Sequence, residues 1–270
     1  MITSDSVIVP ESPEQAYRLY KNEPSAVLLA GSQGLKYRKE HYDVAIDLSK
    51  VGLQGVEDRG DEISIGALTK LSAVAKSPLV KALAGGAISQ CINDIQDKMV
   101  LQAGTIGGVI AAKEPFSVLL PILLSLHVDV ELQDKGRMDL QDYLSCPPMR
   151  EMIRSINIAK EVVFTAYKAC RALPTDEPYL IGAVSCSEDA WVVTVGGRPG
   201  MAAIAENASA ELTEKGLSVR ENVAHLASEE LEFGNFGPCS EAERRKLTLE
   251  MMRDLIKKAW KGHSRQLEGK

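Results

Sequence analysis

Aromatic residues make up only 5% of the 270-residue chain, which has two tryptophans and four histidines. His41, His127, His225 and His263 are scattered, and each reads as a surface or satisfied side chain rather than a ligand. The five cysteines stand at 91, 146, 170, 186 and 239 with no CxxC pair, so no zinc or iron–sulfur site is legible. An odd, irregularly spaced set reads as reduced thiols in a cytoplasm rather than a disulfide framework. Long hydrophobic runs are missing too. The most apolar stretch, Phe116–Leu126, is interrupted by Pro121 and is too short to span a bilayer, so it is expected to be core helix. Met1–Pro10 has no basic segment followed by an apolar one, and no signal peptide is expected. There is no excess of basic charge. The 31 Lys and Arg against 37 Asp and Glu leave a net charge of -6, which argues against a general nucleic-acid binder. Neither GxGxxG nor GxxxxGK followed by Ser or Thr occurs, so the common dinucleotide fold and the P-loop are unsupported. Repeats and low-complexity tracts are absent.

What remains is an ordinary globular composition, 45% hydrophobic and 25% charged. At roughly 150 residues per domain, the length suits one large domain or two smaller ones. Such a chain buries a core without disulfide or metal staples.

Ser12-Pro13-Glu14-Gln15 predicts a capped helix running to about Tyr20. Short apolar strands are expected at 26–30 and 44–48, with the glycine-bearing turn Gly31–Gly34 after the first. Glu62–Gly66 alternates as a strand does, and Leu68, Leu71, Val74 and Ala75 recur at helical spacing. A helix starting at Ser77-Pro78 should stop at Gly85-Gly86, and another is expected over 87–94. A second glycine loop, 103–111, precedes the apolar stretch, and 128–132 alternates again. Strand-like runs at 152–158, 162–170, 179–186 and 191–195 come in series, which suggests an antiparallel sheet. Helices are expected over about 201–215, 219–230 and 240–261, with a frayed polar tail.

Glycines let a backbone approach a phosphate closely, so that its N–H groups bind the oxygens. Either glycine loop alone is more often a plain tight turn. The pair is more specific. "LLAGSQGL" (28–35) and "GTIGGVIAA" (104–112), with "ISIGALTKLSAV" (63–74) between them, resemble the FAD-binding subunit of molybdenum hydroxylases such as xanthine dehydrogenase and carbon monoxide dehydrogenase. The family's loops commonly read AGGT(D/N)L or AGGQSL, and TIGGN. "SVLLPILLSLHVDVEL" (117–132), "MIRSINIA" (152–159), "FTAYKACR" (164–171), "VTVGGRPGMAAIAENA" (193–208) and "SEAERRKLTLEMMRDLIKKA" (240–259) extend the resemblance over nearly the whole chain in the family's order. "SVLLPILLSL" and "DYLSCP" (142–147) are most similar to a bacterial subgroup associated with purine hydroxylases.

The resemblance implies an α+β fold. A two-lobed FAD-binding domain of the PCMH type would span 1–158 (lobes about 1–52 and 53–158). An antiparallel sheet packed by helices would span 159–262, and 263–270 would be a tail. It implies FAD as cofactor, electrons arriving from 2Fe-2S clusters on one partner subunit, hydroxylation at a molybdenum cofactor on another, and NAD or another acceptor. The flavin supplies the redox chemistry, so no catalytic side chain is expected. Carried over residue by residue, the resemblance places Leu28, Leu29, Ala30, Gly31, Ser32, Gln33, Gly34 and Leu35 around the pyrophosphate. Thr105, Gly107 and Gly108 carry the second loop, Ala112 and Ser117 follow it, and Ile95 and Ile153 approach the cofactor. Lys168 matches a family lysine near FAD, and is equally read as an exposed strand lysine.

Several positions depart from the family. Ser32 stands for its glycine, Gly34 for its Asp or Asn, Val109 for the Asn of TIGGN and Val118 for an Asp. Met99, Leu101 and Gln102 replace its Gln, Arg and Asn. Each lost polar group removes about 1 kcal/mol of hydrogen bonding, so weaker FAD binding is expected. An FAD-free scaffold is the alternative. A stand-alone flavin reductase of the cell-wall type is disfavoured by the end segment 162–259. Self-association of the isolated chain is expected. Asp94 and Asp97 read as a solvated helix end, Trp191 and Trp260 as core or interface aromatics, and Arg244-Arg245-Lys246 as a solvated helix face.

Overall fold

The computed structural model of the chain describes residues 2–31, 34–35, 38–188 and 190–268. They group into two compact units: Met1–Ser77 with Asp97–Lys113 and Val128–Ile158, and Pro78–Gln96 with Glu114–His127 and Ala159–Lys270.

The first unit begins with β1 (Thr3–Ile8), α1 (Pro13–Asn22), β2 (Ala26–Leu29) and β3 (His41–Asp47). The strands pair in parallel in the order β1-β3-β2, with Thr3 opposite His41 and Ala26 opposite Val44. Pro13 opens α1 and the Ser12 side chain accepts the Gln15 N–H at 3.1 Å. The reciprocal bond falls one residue early, because Gln15 Oε1 accepts from the Glu11 N–H at 3.0 Å. Ala16 on the inner face of α1 is fully buried with Ala26, Ile46, Leu48 and Val51.

β4 (Val56–Asp58) and β5 (Glu62–Gly66) form an antiparallel hairpin, and α2 (Leu71–Lys76) buries Leu71, Val74 and Ala75 as its spacing requires. Next come α3 (Pro78–Ala82) and α4 (Ala87–Asn93), both in the second unit. Ala84, Gly85 and Gly86 between them all take positive φ, which ends the first helix at the glycine pair. α5 (Lys98–Ala103) has no counterpart in the sequence expectation. Asp97 nucleates it by accepting the Met99 and Val100 N–H groups, so this aspartate is a cap rather than a merely solvated end. α6 (Ile106–Ala112) replaces the expected second glycine loop, with Gly107 and Gly108 in its first turn. α7 (Leu119–Leu124) is the centre of the apolar run, and all six of its residues are buried.

β6 (Val128–Leu132), β7 (Gly136–Asp139), α8 (Leu140–Ser145) and β8 (Ile153–Ala159) follow. β8 does not continue into the later strands, as its place in the series suggested. It joins a five-stranded sheet of order β4-β5-β8-β6-β7, with Ile156 opposite Val130 of β6.

The second unit is built on β9 (Phe164–Cys170), β10 (Leu180–Cys186), β11 (Trp191–Gly196) and β12 (Ala203–Ile204), an antiparallel sheet of order β12-β11-β10-β9. β10 is buried along its whole length. α9 (Glu206–Lys215), α10 (Arg220–Glu230) and α11 (Glu241–Glu268) cover the sheet. β12 takes the start of what was expected as one helix from Met201. α11 extends through the expected frayed tail to Glu268. Gly182 lets α11 sit close to the sheet, since a Cβ there would lie 2.5 Å from Met252 Cε. Trp191 is buried and stacks at 6.2 Å on the half-exposed Trp260.

Arg244 corrects the sequence reading most sharply. It is fully buried rather than on a solvated face. Its guanidinium donates to the carbonyls of Gly234 and Gly197 at 3.0 Å each, and to those of Tyr179 and Phe236. Five fixed donors in one plane satisfy several chain bends at once, which an ammonium does not do. Arg245 donates to Glu241 at 3.1 Å and to the Ser228 carbonyl at 2.7 Å, while Lys246 is exposed as expected. Among the described residues no helix is long and apolar enough to cross a membrane.

Candidate functional site

The two glycine segments meet within the first unit. The C-terminal end of β2 delivers the chain to Gly31, whose φ of +85° is disallowed to most L-residues. A Cβ at Gly31 would stand 1.9 Å from the Ala103 carbonyl oxygen, so the loop rests directly on the end of α5. A Cβ at Gly34 would reach 3.0 Å from the Ala112 Cβ, at the far end of α6. At the near end, a Cβ at Gly108 would approach the Ala30 carbonyl oxygen at 3.1 Å. Ala30 therefore lies at the near end of α6, beside Gly108, and Gly34 at its far end, beside Ala112.

Thr105 ties the two together. Its hydroxyl donates to the Ala30 carbonyl at 2.9 Å and accepts the Gly108 N–H at 3.2 Å. This is an N-cap that also fixes a second segment. The helix is held from behind as well. The Ile106 N–H donates to the Thr69 carbonyl at 3.0 Å and the Gly107 N–H to the Ala67 carbonyl at 2.9 Å. Gly107 lacks a side chain because one would collide with Ala67, at 2.6 Å from its Cβ. The first N–H groups of α6 are thus spent on the protein. The helix is a floor against which Ala30 and Gly34 lie close. Gly34 makes no hydrogen bond among the described residues.

Lys113 closes the other end of α6 in the left-handed conformation, with φ of 49°. Its ammonium donates to the carbonyls of Tyr143 at 2.7 Å and Cys146 at 2.9 Å, in the last turn and C-cap of α8. Burial pulls its pKa below the ordinary lysine value. Ala67, Thr69 and Lys113 were not singled out as site residues. The first two lie in a segment read only as a spacer, and nothing local marks the third.

Of the positions carried over from the resemblance, Leu28, Leu29, Ala30, Gly31, Gly34, Leu35, Thr105, Gly107, Gly108 and Ala112 share this part of the first unit. Ile153 is in the same unit, buried at the start of β8 opposite Leu132. Ser32 and Gln33 lie outside the described residues. Ile95, Ser117 and Lys168 belong to the second unit. Ile95 is half-buried after α4, Ser117 donates its N–H to the Glu114 carbonyl at 3.1 Å, and Lys168 is exposed on β9 opposite Gly182. Asp94, also in the second unit, accepts from the Tyr167 hydroxyl.

A family profile described as the FAD binding domain in molybdopterin dehydrogenase matches residues 3–162. The chain belongs to this family. YgfM of Escherichia coli strain K12, an uncharacterized protein, is 31% identical over 141 residues, 51% of this chain and 53% of that protein. The chain thus matches about half the length of its curated relatives, the O157:H7 protein of the same name included. Quinoline 2-oxidoreductase from Pseudomonas putida 86 superposes with a TM-score of 0.86 at 20% identity, covering 96% of this chain and 97% of the other. Carbon monoxide dehydrogenase from Hydrogenophaga pseudoflava gives 0.86 at 22%, covering 95% and 97%. Reconstituted CO dehydrogenase from Oligotropha carboxidovorans gives 0.84 at 23%, covering 94% and 96%. At these identities the likeness shows the fold, which is the α+β arrangement expected from the sequence.

For a member of the FAD-binding family, the donor set fits a dinucleotide. Neither 28–35 nor 104–112 contains an acidic residue, and Gly31 and Gly108 carry no side chain that would keep an anion from the main chain.

Proposed function

We propose that the chain is the FAD-holding, electron-transferring subunit of a molybdenum hydroxylase of the xanthine dehydrogenase kind, from the bacterial subgroup associated with purine hydroxylases. The observation that carries this reading is the meeting of the two glycine segments, with Thr105 bonded to the Ala30 carbonyl and Gly34 close to Ala112. The main chain of Leu28–Leu35 would hold the pyrophosphate over a floor of Thr105, Gly107, Gly108 and Ala112, with Ile153 beside it. The resemblance adds Ile95, Ser117 and Lys168. It also supports residues 1–158 as the FAD-binding domain and 159–262 as the domain that follows it.

When bound, FAD supplies electron acceptance from iron–sulfur clusters and delivery to NAD or another acceptor. The chain itself binds and orients. Its five cysteines are dispersed along the chain, so on this reading a partner subunit brings the 2Fe-2S clusters and another the molybdenum cofactor. A cytoplasmic setting suits reduced cysteines. The isolated chain should self-associate and show no hydroxylase activity on any purine.

One observation favours the alternative of an FAD-free scaffold. Val109 and Val118 present hydrocarbon where the resemblance places polar groups. Recovery from the native host separates the two readings. The main reading expects flavin, iron and molybdenum to travel with the chain. The scaffold reading expects iron and molybdenum without flavin bound to it.

A further inference from the structure

At the end of β9 the second unit contains a cavity of about 490 Å³ lined by Asp94, Gln96, Ala169, Arg171, Leu173 and Pro174. Its two charged residues are in opposite conditions. The Asp94 carboxylate is engaged by the Tyr167 hydroxyl, and the Gln96 side-chain amide donates to the Asp94 backbone carbonyl at 3.2 Å. Arg171 makes no hydrogen bond or ion pair with any described residue, and its Nε is shut off from solvent without an acceptor. The Nη groups of Arg171, which no described residue engages, are the ones an acceptor entering the cavity can meet. Elsewhere in the same unit, buried arginines are fully committed. Arg244 binds four carbonyls, and Arg198 donates to the Met201 and Glu232 carbonyls at 2.6 Å each. Arg253 also has a shielded Nε but pairs with Glu221 at 2.6 Å, so Arg171 differs in having no partner among the described residues.

We propose that the cavity is a small-molecule oxyanion site anchored by Arg171. The planar fork of guanidinium donors matches a carboxylate or phosphate group in two-point contact. Ala169, Leu173 and Pro174 supply apolar walls, so the ligand is a compact anion rather than a polyelectrolyte. Asp94, already occupied, disfavours highly charged ligands and suits one with a single oxyanion. The site lies within one unit and needs no flavin, so its failure leaves the proposed cofactor function standing.

The test is titration of the full chain with inorganic phosphate and, separately, with acetate, followed by calorimetry and amide chemical shifts. Saturable one-to-one binding of at least one anion is expected, with shifts centred on residues 169–174. Arg171→Gln should weaken it by at least about tenfold and Arg171→Lys by less, since an ammonium offers charge without the fork. Lys257→Gln, at an exposed position of α11, should leave binding unchanged. Circular dichroism confirms that each variant is folded. Phosphate against acetate decides between the two sources of the oxyanion. Equal binding by folded Arg171→Gln, or no saturable binding of either anion, overturns the proposal.

Discussion

The Thr105 hydroxyl donates to the Ala30 carbonyl at 2.9 Å, joining the residue before the first glycine turn to the residue that caps α6. One side chain thereby sets both the start of a helix and the position of a loop. Thr105→Ala removes both bonds. It should lower stability by about 1–2 kcal/mol, as other lost N-caps do, and weaken FAD binding further because the loop loses its tether. Thr105→Ser keeps the oxygen and should restore most of each loss. Urea unfolding and an FAD titration on the three proteins check this.

Gly108 is constrained by the same contact. An added Cβ would lie 2.9 Å from Thr105 Oγ1 and 3.1 Å from the Ala30 oxygen. Gly108→Asp should abolish FAD binding, because it places a carboxylate beside the expected diphosphate. It should also reduce the melting temperature, because the Thr105–Ala30 contact must open. Gly108→Ala separates the two effects. It should keep part of the binding with a smaller thermal shift. Retention of stoichiometric FAD by Gly108→Asp would show the segment to be misassigned.

How far the sequence led differs between these places. The strands and the capped start of α1 were readable, since period-two alternation and the Ser-Pro signal are local. α6 was not. Gly107 and Gly108 lower helix propensity, and the helix forms because the distant carbonyls of Ala67 and Thr69 take its first N–H groups. Arg244 was misread for a related reason. Its neighbours Arg245 and Lys246 suggest a wet face, while its partners come from chain bends far apart in sequence. The glycine segments were legible as a pair, but their mutual contact through Thr105 was not.

Arg244→Met should be among the most damaging single changes in the second unit. It leaves four carbonyls without their guanidinium donor and removes a fully buried side chain, a loss of at least about 3 kcal/mol. Arg244→Lys recovers only part of this, since three donors on one atom do not span the same bends. Chemical denaturation of the three proteins ranks them.

An acid-sensitive element lies in the five-stranded sheet. Glu62 pairs with Arg137, whose Nη1 donates at 2.8 Å. That hydrogen bond holds the carboxyl below its ordinary value of about 4.5. A folded pKa below the unfolded one means that the stabilisation is complete above the unfolded value and is lost as pH falls through the folded one. Stability measured from pH 6 down to about pH 3 should therefore decline with a component that Glu62→Gln removes. An unchanged slope in Glu62→Gln would assign the decline to other carboxylates.

The central claim is that this chain holds FAD on the glycine segments joined by Thr105. The most direct measurement is a fluorescence and absorbance titration of the purified, folded chain with FAD, run beside Gly108→Asp. The account predicts saturable binding of one FAD per chain, quenched or shifted flavin emission on binding, and loss of both in the variant. A folded chain that shows no saturable FAD binding, or a Gly108→Asp protein that binds FAD as well as the unaltered one, would contradict it.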